Sequence, residues 1–318
     1  MSRSASREVA RLGRAAAPMH ETQAAAATRR RPAAGWRTVL GVFKLRIGVL
    51  IMISALAGMA IVPDGRASAL QVVVLALAVL LASAAAGAFN QFVEADSDRL
   101  MARTRNRAFA SGALPRNGAW LAGIAALFLL AVAAAAWWVN AVAAAYVAAG
   151  ALTYALVYTL GLKRRTPWNI VIGGAAGSFA VLAGAAAADP RIGPLAWTLA
   201  LVLLLWTPPH FWSLAIANEE QYRAAGVPML PVVVGAARSA RIVHVHALVL
   251  VAVSLLLLPL GAGWLVLAGA ALGGLHFLRK TYALMRRPER KTAMAAFFAS
   301  MVQLSALLSA VVVDAALR

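Results

Sequence analysis

Residues 68–92 read SALQVVVLALAVLLASAAAGAFNQF, and residues 93–99 continue VEADSDR. The first stretch has no charged residue and exceeds the roughly 20 apolar residues that cross a bilayer. The second places Glu94, Asp96 and Asp98 directly at its end. Only a helix or a closed barrel satisfies its own backbone in lipid, and an alanine- and leucine-rich run favours the helix. Working outward, further stretches of this kind cover 39–62, 117–137, 139–161, 167–188, 194–217, 241–260, 262–279 and 292–316. The stretch 39–62 is the weakest, because Lys44 and Arg46 interrupt it. The composition agrees with this reading. Of 318 residues, 62% are hydrophobic and 13% are charged, whereas about 25% are charged in a soluble domain. A mean hydropathy of +0.78 excludes a soluble enzyme and a disordered chain. There is no cysteine, which excludes disulfides, thiolate metal sites and a Cys nucleophile. The expected fold is an all-α polytopic membrane protein with nine transmembrane helices.

Residues 1–36, rich in Arg, Ala and Pro, read as a disordered basic tail ahead of a nine-helix domain at 37–318. The tail has no apolar core of the secretory-signal kind. It resembles a mitochondrial presequence in its arginines but not in Glu8 and Glu21. The net charge is +19, which in a soluble protein would suggest nucleic acid. Here all basic residues except Arg66, Arg191 and Arg318 fall in the N-terminal region through Arg46 and in alternate loops. The positive-inside rule then predicts a cytoplasmic N-terminus and an outer C-terminus, with the lipid bilayer as partner and no nucleic acid. The expected location is the bacterial cell inner membrane, ahead of the mitochondrial inner membrane.

Acids are scarce, so their positions carry information. On a helix, Asn90, Glu94 and Asp98 stand at i, i+4 and i+8, on one face. Two carboxylates and an amide oxygen, completed by substrate phosphates, suit Mg²⁺. Arg99, Arg103 and Arg107 repeat the four-residue step as a cationic stripe, and an Arg fork matches phosphate. The ordinary alternative is a solvated, salt-paired helix end. A second acidic pair, Glu219 and Glu220, follows the tract Trp206-Thr207-Pro208-Pro209-His210-Phe211-Trp212. Two prolines inside a span free backbone groups that can line a cavity, and His210 between aromatics is a candidate ligand or stacking group. Gly226–Pro231 reads as a rigid turn or lid. Lys163, Arg164 and Arg165 precede the helix start Thr166-Pro167-Trp168-Asn169, and serve either phosphate binding or membrane anchoring. Gly173 and Gly177 read as a helix-packing pair. His244 and His246 point to different helix faces and make a poor chelate.

These tracts resemble the UbiA-type intramembrane prenyltransferases over roughly residues 38–316. Asn90, Glu94 and Asp98 match that superfamily's N-x-x-x-D-x-x-x-D signature. Four tracts look like its haem-farnesylating branch: Asp98–Arg107, Arg164–Gly174, Thr207–Trp212 and Gly226–Val233. There are departures. Glu94 stands where Asp is usual, Leu45 and Ala108 where Pro is usual, and Phe179–Gly184 replaces a more Pro-rich stretch. Gln221 stands where an acid usually precedes Tyr222. A neutral amide cannot carry that charge, so Glu219 and Glu220 become the expected carboxylates of a second metal.

The resemblance implies farnesyl transfer from farnesyl diphosphate to a vinyl group of haem B, with Mg²⁺ as cofactor and haem B as substrate. It implies Asn90, Glu94 and Asp98 as catalytic metal ligands. It implies Arg99, Arg103, Arg107, Lys163, Arg164 and Arg165 on the diphosphate, and His210, Trp212, Trp168, Asn169 and Tyr222 on the porphyrin side. Association with haem A synthesis or oxidase-assembly proteins is a further expectation. The nearest alternative is a prenyltransferase acting on a quinone-precursor aromatic acid. An alternative of another class is a non-catalytic lipid- or haem-binding membrane protein, because acids and arginines at a membrane mouth also serve transport.

Overall fold

Start signals in the sequence fix where the long helices begin. Ser68 and Gln71 form a reciprocal capping box ahead of one helix, and Asn117 and Asn140 accept from the backbone N–H groups of Trp120 and Ala143 at the start of two others. Each satisfies a donor that has no partner inside its own helix. A computed structural model of the protein describes residues 35–317. The expected tail, up to residue 34, lies outside the described residues. The elements are α1 (Trp36–Val42), α2 (Leu45–Ala60), α3 (Ala69–Val93), α4 (Ala95–Asp98), α5 (Gly118–Trp138) and α6 (Ala141–Leu152). A π-helix (Thr153–Leu162) continues α6. Then follow α7 (Asn169–Gly173), α8 (Ala175–Ala188), α9 (Pro194–Ala217), α10 (Glu219–Ala224), α11 (Leu230–Val234), α12 (Ala236–Leu255), α13 (Trp264–Arg286) and α14 (Arg290–Leu317). No strand occurs among the described residues.

Seven helices are long and apolar enough to cross a membrane, or up to eight when α1 and α2, bent by 46°, count as one broken span. The expected span 262–279 is helical as α13. His276, Arg279 and Lys280 in its second half lower its apolarity, so composition alone does not mark it as a crossing. The expected span 241–260 begins earlier, at Ala236, just after Gly235 at φ 79. The tract Thr207–Trp212 does not break its helix: α9 runs through Pro208 and Pro209. The Thr207 and Ser213 hydroxyls donate to the Leu203 and Pro209 carbonyls.

Helices α2, α3, α5, α6, α8, α9, α12, α13 and α14 each pack on the next, and α14 returns to α2. Within this ring α8 also crosses α2, and α9 crosses α14. An alanine-rich core joins α3, α5, α6 and α8 through Ala78, Ala82, Ala131, Ala143 and Ala183. Larger side chains, among them Leu199, Leu250, Phe277 and Leu307, fill the other half. Small residues suit helix association in lipid, where close backbone packing replaces the hydrophobic drive. At the α2–α8 crossing a Cβ on Gly184 would sit 1.7 Å from the Ala55 carbonyl oxygen, and one on Gly58 would sit 2.1 Å from that of Val181. The expected packing pair is different. Gly173 faces the Tyr158 ring, whereas Gly177 faces open space. Exposed Trp137, Trp138, Trp197 and Trp264 mark one end of the bundle, and Trp36, Trp168 and Tyr282 mark the other. Such aromatic belts sit at the two headgroup levels of a bilayer.

Gly184→Ala forces the α2–α8 backbones apart, and is expected to cost about 3 kcal/mol. Melting in detergent should show a clear fall in midpoint for Gly184→Ala and none for Gly177→Ala.

Candidate active site

The last turn of α3 carries the site. Asp98 N–H donates to the Glu94 carbonyl at 2.8 Å, and Glu94 N–H to that of Asn90 at 3.0 Å. The helical step therefore survives the break between α3 and α4, and the three side chains stack on one face as expected. All three are buried. A carboxylate buried without a counter-charge is costly, and each acid here has one. Lys163 Nζ donates to Glu94 Oε2 at 2.5 Å, and Arg107 Nη1 donates to both Asp98 oxygens, at 2.8 and 3.0 Å. Lys44 Nζ donates to Asn90 Oδ1 at 2.6 Å, which frees the Asn90 amide to donate to Glu94 at 2.9 Å and to Thr159 Oγ1 at 3.0 Å. Three basic side chains thus meet two carboxylates.

Lys44, which interrupts the first apolar stretch, owes its place to the break between α1 and α2. It sits at φ 49, ψ 40, in the left-handed region. Gln91 holds this break: its buried amide donates to the carbonyls of Gly41 at 2.9 Å and Val42 at 3.1 Å. These are orphan acceptors at the end of α1. Gly87 leaves the room that the Lys44 stem occupies, since its Cβ would lie 3.4 Å from Lys44 Cδ.

The π-helix supplies the opposite wall. Its wider turn brings Tyr154 and Tyr158 into a stack, centroids 5.6 Å apart and planes at 13°. It also lets Thr159 Oγ1 donate to the Tyr154 carbonyl at 2.8 Å. Lys163 follows, its N–H bonded to the Tyr158 carbonyl five residues back at 2.9 Å. π-helical turns concentrate at functional sites. Tyr154 OH accepts from Lys44 at 3.3 Å. Between these walls lies a cavity of about 250 Å³. Its polar end has Lys44, Asn90, Asp98, Arg103, Arg107 and Lys163, and its remainder is mostly apolar, with Ile47, Ile51, Val79, Val147 and Ala180.

The structure does not gather every expected site residue here. Arg103 and Arg107 line the cavity from a run of turns after α4, not from a helix. Arg99 instead donates to the Ala110 carbonyl at 2.8 Å and pairs with Asp96 at 3.5 Å. Asp96 is exposed, and the Arg116 guanidinium at 2.8 Å holds its carboxyl below the usual carboxylate range. Arg164 and Arg165 are exposed. Tyr222 lines the cavity and its hydroxyl accepts from Arg103 at 3.4 Å. Its neighbours do not follow: Glu219 pairs with Arg223 at 2.5 Å, Glu220 is exposed, and Gln221 donates to Asn218 at 3.3 Å. His210 lies in the α9–α14 interface, 2.7 Å from Ser300 Oγ and stacked between Trp206 and Phe297. Trp212 is buried edge-on to His246. Trp168 is exposed, and Asn169 is buried with its amide on the Lys163 and Thr166 carbonyls. From α9 the cavity takes Thr207, Phe211 and Leu214. Lys44, Tyr154, Tyr158 and Thr159 were not expected. A lysine inside an apolar stretch is itself a functional signal.

A cationic pocket with Asp98 in its lining, and with Glu94 buried behind Lys163, opens into an apolar cavity among membrane helices, the arrangement suited to an amphiphile with an anionic head. The chain belongs to the UbiA prenyltransferase family, whose pattern matches residues 51–302. It is 54% identical over 281 residues to protoheme IX farnesyltransferase 2 of Paramagnetospirillum magneticum, across 88% of this chain and 98% of that protein. It is 42% identical to protoheme IX farnesyltransferase of Gloeobacter violaceus, across 85% of this chain and 89% of that one. The fold is similar to that of digeranylgeranylglyceryl phosphate synthase, with a TM-score of 0.73 and 21% identity over 88% of this chain and 98% of that chain. A UbiA homologue from Archaeoglobus fulgidus bound to DMAPP and Mg²⁺ is also similar, with a TM-score of 0.63 and 14% identity over 84% of this chain and 99% of that chain.

Gln91→Leu removes both bonds that hold the α1–α2 break, and is expected to raise the KM for a prenyl diphosphate about tenfold, equivalent to about 1.4 kcal/mol. Steady-state kinetics in lipid discs check this; an unchanged KM would show that Lys44 keeps its place without the clamp.

Proposed function

We propose that this chain transfers the farnesyl group of farnesyl diphosphate to a vinyl group of haem B. The observation that carries the reading is the cavity itself, apolar along its length and closed at one end by Asn90, Asp98, Lys44, Arg107 and Lys163. Relatives at 54% and 42% identity, named protoheme IX farnesyltransferases, support the substrate pair.

The diphosphate head meets the three cations that now face Asn90, Glu94 and Asp98. Lys44, Lys163 and Arg107 exchange carboxylate or amide oxygens for phosphate oxygens, and Arg103 adds a fourth positive group at the rim. Asn90, Glu94 and Asp98 would be the residues to hold Mg²⁺, because carboxylate and amide oxygens are hard donors of the kind that ion takes. Bound there, Mg²⁺ supplies neutralisation of the charge that builds on the departing diphosphate. The farnesyl chain lies along Ile47, Ile51, Val79 and Val147, where water is excluded from the allylic cation formed as the C–O bond breaks. The Tyr154 and Tyr158 ring faces stabilise that cation. The vinyl carbon attacks it, and water adds to the resulting porphyrin cation and loses a proton to the released diphosphate, leaving a hydroxyethylfarnesyl group. The porphyrin approaches over Phe211, Leu214 and Met229, beside Tyr222. Four other residues expected on that side, His210, Trp212, Trp168 and Asn169, lie outside the cavity lining and take no part in this reading.

Nine crossings belong to this reading, with α13 as the remaining one. From Trp264 to Tyr282 the helix rises about 27 Å at ~1.5 Å per residue, close to the ~30 Å of a hydrocarbon core, and Arg279 and Lys280 snorkel toward the headgroups. The site then faces the cytoplasm of a bacterial inner membrane, on the basic side. The apolar product stays in the bilayer, where haem A synthesis and oxidase-assembly proteins would receive it.

Membranes bearing the protein, given haem B, farnesyl diphosphate and Mg²⁺, are expected to form farnesylated, hydrated haem detectable by mass spectrometry; its absence would overturn the reading. Asp98→Asn and Glu94→Gln should each lower turnover at least a hundredfold, equivalent to about 2.7 kcal/mol, with the protein still folded. Near-normal turnover in both would remove the carboxylates from the mechanism.

A further inference from the structure

A second concave site lies at the α13–α14 hairpin, on elements that contribute nothing to the cavity. Its volume is about 670 Å³, and it is lined by Lys280, Tyr282, Arg286, Arg287 and Lys291, with Glu289 and Thr292 at the turn. The cations come from both walls: Lys280 and Arg286 from the end of α13, Arg287 from the turn and Lys291 from the start of α14. Among the described residues none of the four is ion-paired with a carboxylate. The turn satisfies its own backbone, since Thr292 Oγ1 donates to the Arg287 carbonyl at 2.5 Å and accepts from Glu289 N–H at 3.3 Å. The positive groups are therefore unused by the fold. The first N–H groups of the long helix α14 add partial positive charge.

The ordinary reason for cations at a span's end is topology, which asks only that they be present. It does not ask that they converge on a groove. Arg279 and Arg290, in the same run of sequence, do not line it. Depth in the bilayer adds a second argument. Tyr282 is exposed at the aromatic belt, so the groove lies at headgroup level. On the membrane side of it, Leu275 on α13 and Phe298, Met301 and Val302 on α14 are exposed. A phosphate-binding groove continuous with a lipid-facing apolar strip fits a molecule with an anionic head and acyl chains.

The geometry points to a binding site for an anionic phospholipid in this groove, with the four cations on its headgroup phosphate or phosphates and the acyl chains along α13 and α14. Basic pockets between transmembrane helices at the cytoplasmic surface bind such headgroups. Binding at this hairpin would tie together the last two helices, and is independent of the reaction catalysed in the cavity.

The test is native mass spectrometry of the full chain in mixed micelles holding equal amounts of cardiolipin, phosphatidylglycerol and phosphatidylcholine. Retention of an anionic lipid at least tenfold above phosphatidylcholine is expected. Arg286→Gln with Arg287→Gln should abolish the preference, and Arg286→Lys with Arg287→Lys should keep most of it. Arg238→Gln with Arg241→Gln, which removes two exposed cations outside the groove, should leave it intact. Equal retention of all three lipids, or a preference that survives the Gln pair, would overturn the site. Millimolar inorganic phosphate should not displace the lipid; displacement would show that the groove takes a free phosphate ion and not a lipid.

Discussion

Two carboxylates are buried inside a membrane bundle, and neither can stay there charged without a partner. That constraint organises everything around the cavity. Glu94 takes Lys163, Asp98 takes Arg107, and Asn90 passes the influence of Lys44 to the same cluster. Each partner comes from a different part of the chain, so the pairing also joins the parts: the α1–α2 break, the end of α3, the turns after α4 and the end of the π-helix. Removing one member of a buried pair leaves an uncompensated charge, which is more damaging than removing both. The cluster thus joins these four segments around one polar point.

Irregular backbone collects at this point. Lys44 adopts a left-handed conformation, α3 breaks at Glu94, and Thr153–Leu162 is wound wide. In lipid, backbone that leaves the regular helix must find partners elsewhere. Gln91 supplies them at the first break and the Thr159 hydroxyl at the third. Away from the site, glycine and alanine let α2 and α8 touch at backbone distance.

Much of this was legible in the sequence. The apolar stretches located the helices, and the i, i+4, i+8 spacing put Asn90, Glu94 and Asp98 on one face because the helical step persists there. Arg103, Arg107 and Lys163 were visible as cations beside acids. The remainder depended on direction, which spacing alone does not give. Lys44 looked like a flaw in a span, because the break that turns it inward has no proline or glycine at the residue itself. His210 looked like a ligand from its aromatic neighbours, yet those neighbours are its packing partners. Arg99 and Glu219 had the right charge but spend it on Asp96 and Arg223. The structure leaves Gln221 bonded to Asn218 outside the cavity lining, as it does the acids beside it.

The wide turn at Thr153–Leu162 has a consequence for how such a site changes over generations. A π-turn holds one more residue than the α-turn it replaces. Regular α winding of the same ten residues would turn the chain by about 100° per residue, more than the wider π-turn does, and would carry Lys163 round to another face relative to Ala141–Leu152. The ammonium that faces Glu94 would then face a neighbouring helix or lipid. The geometry of this wall is set by residue count as well as residue type. Side chains on this wall can be exchanged one at a time, whereas its alignment changes only when the winding or length of the whole segment changes.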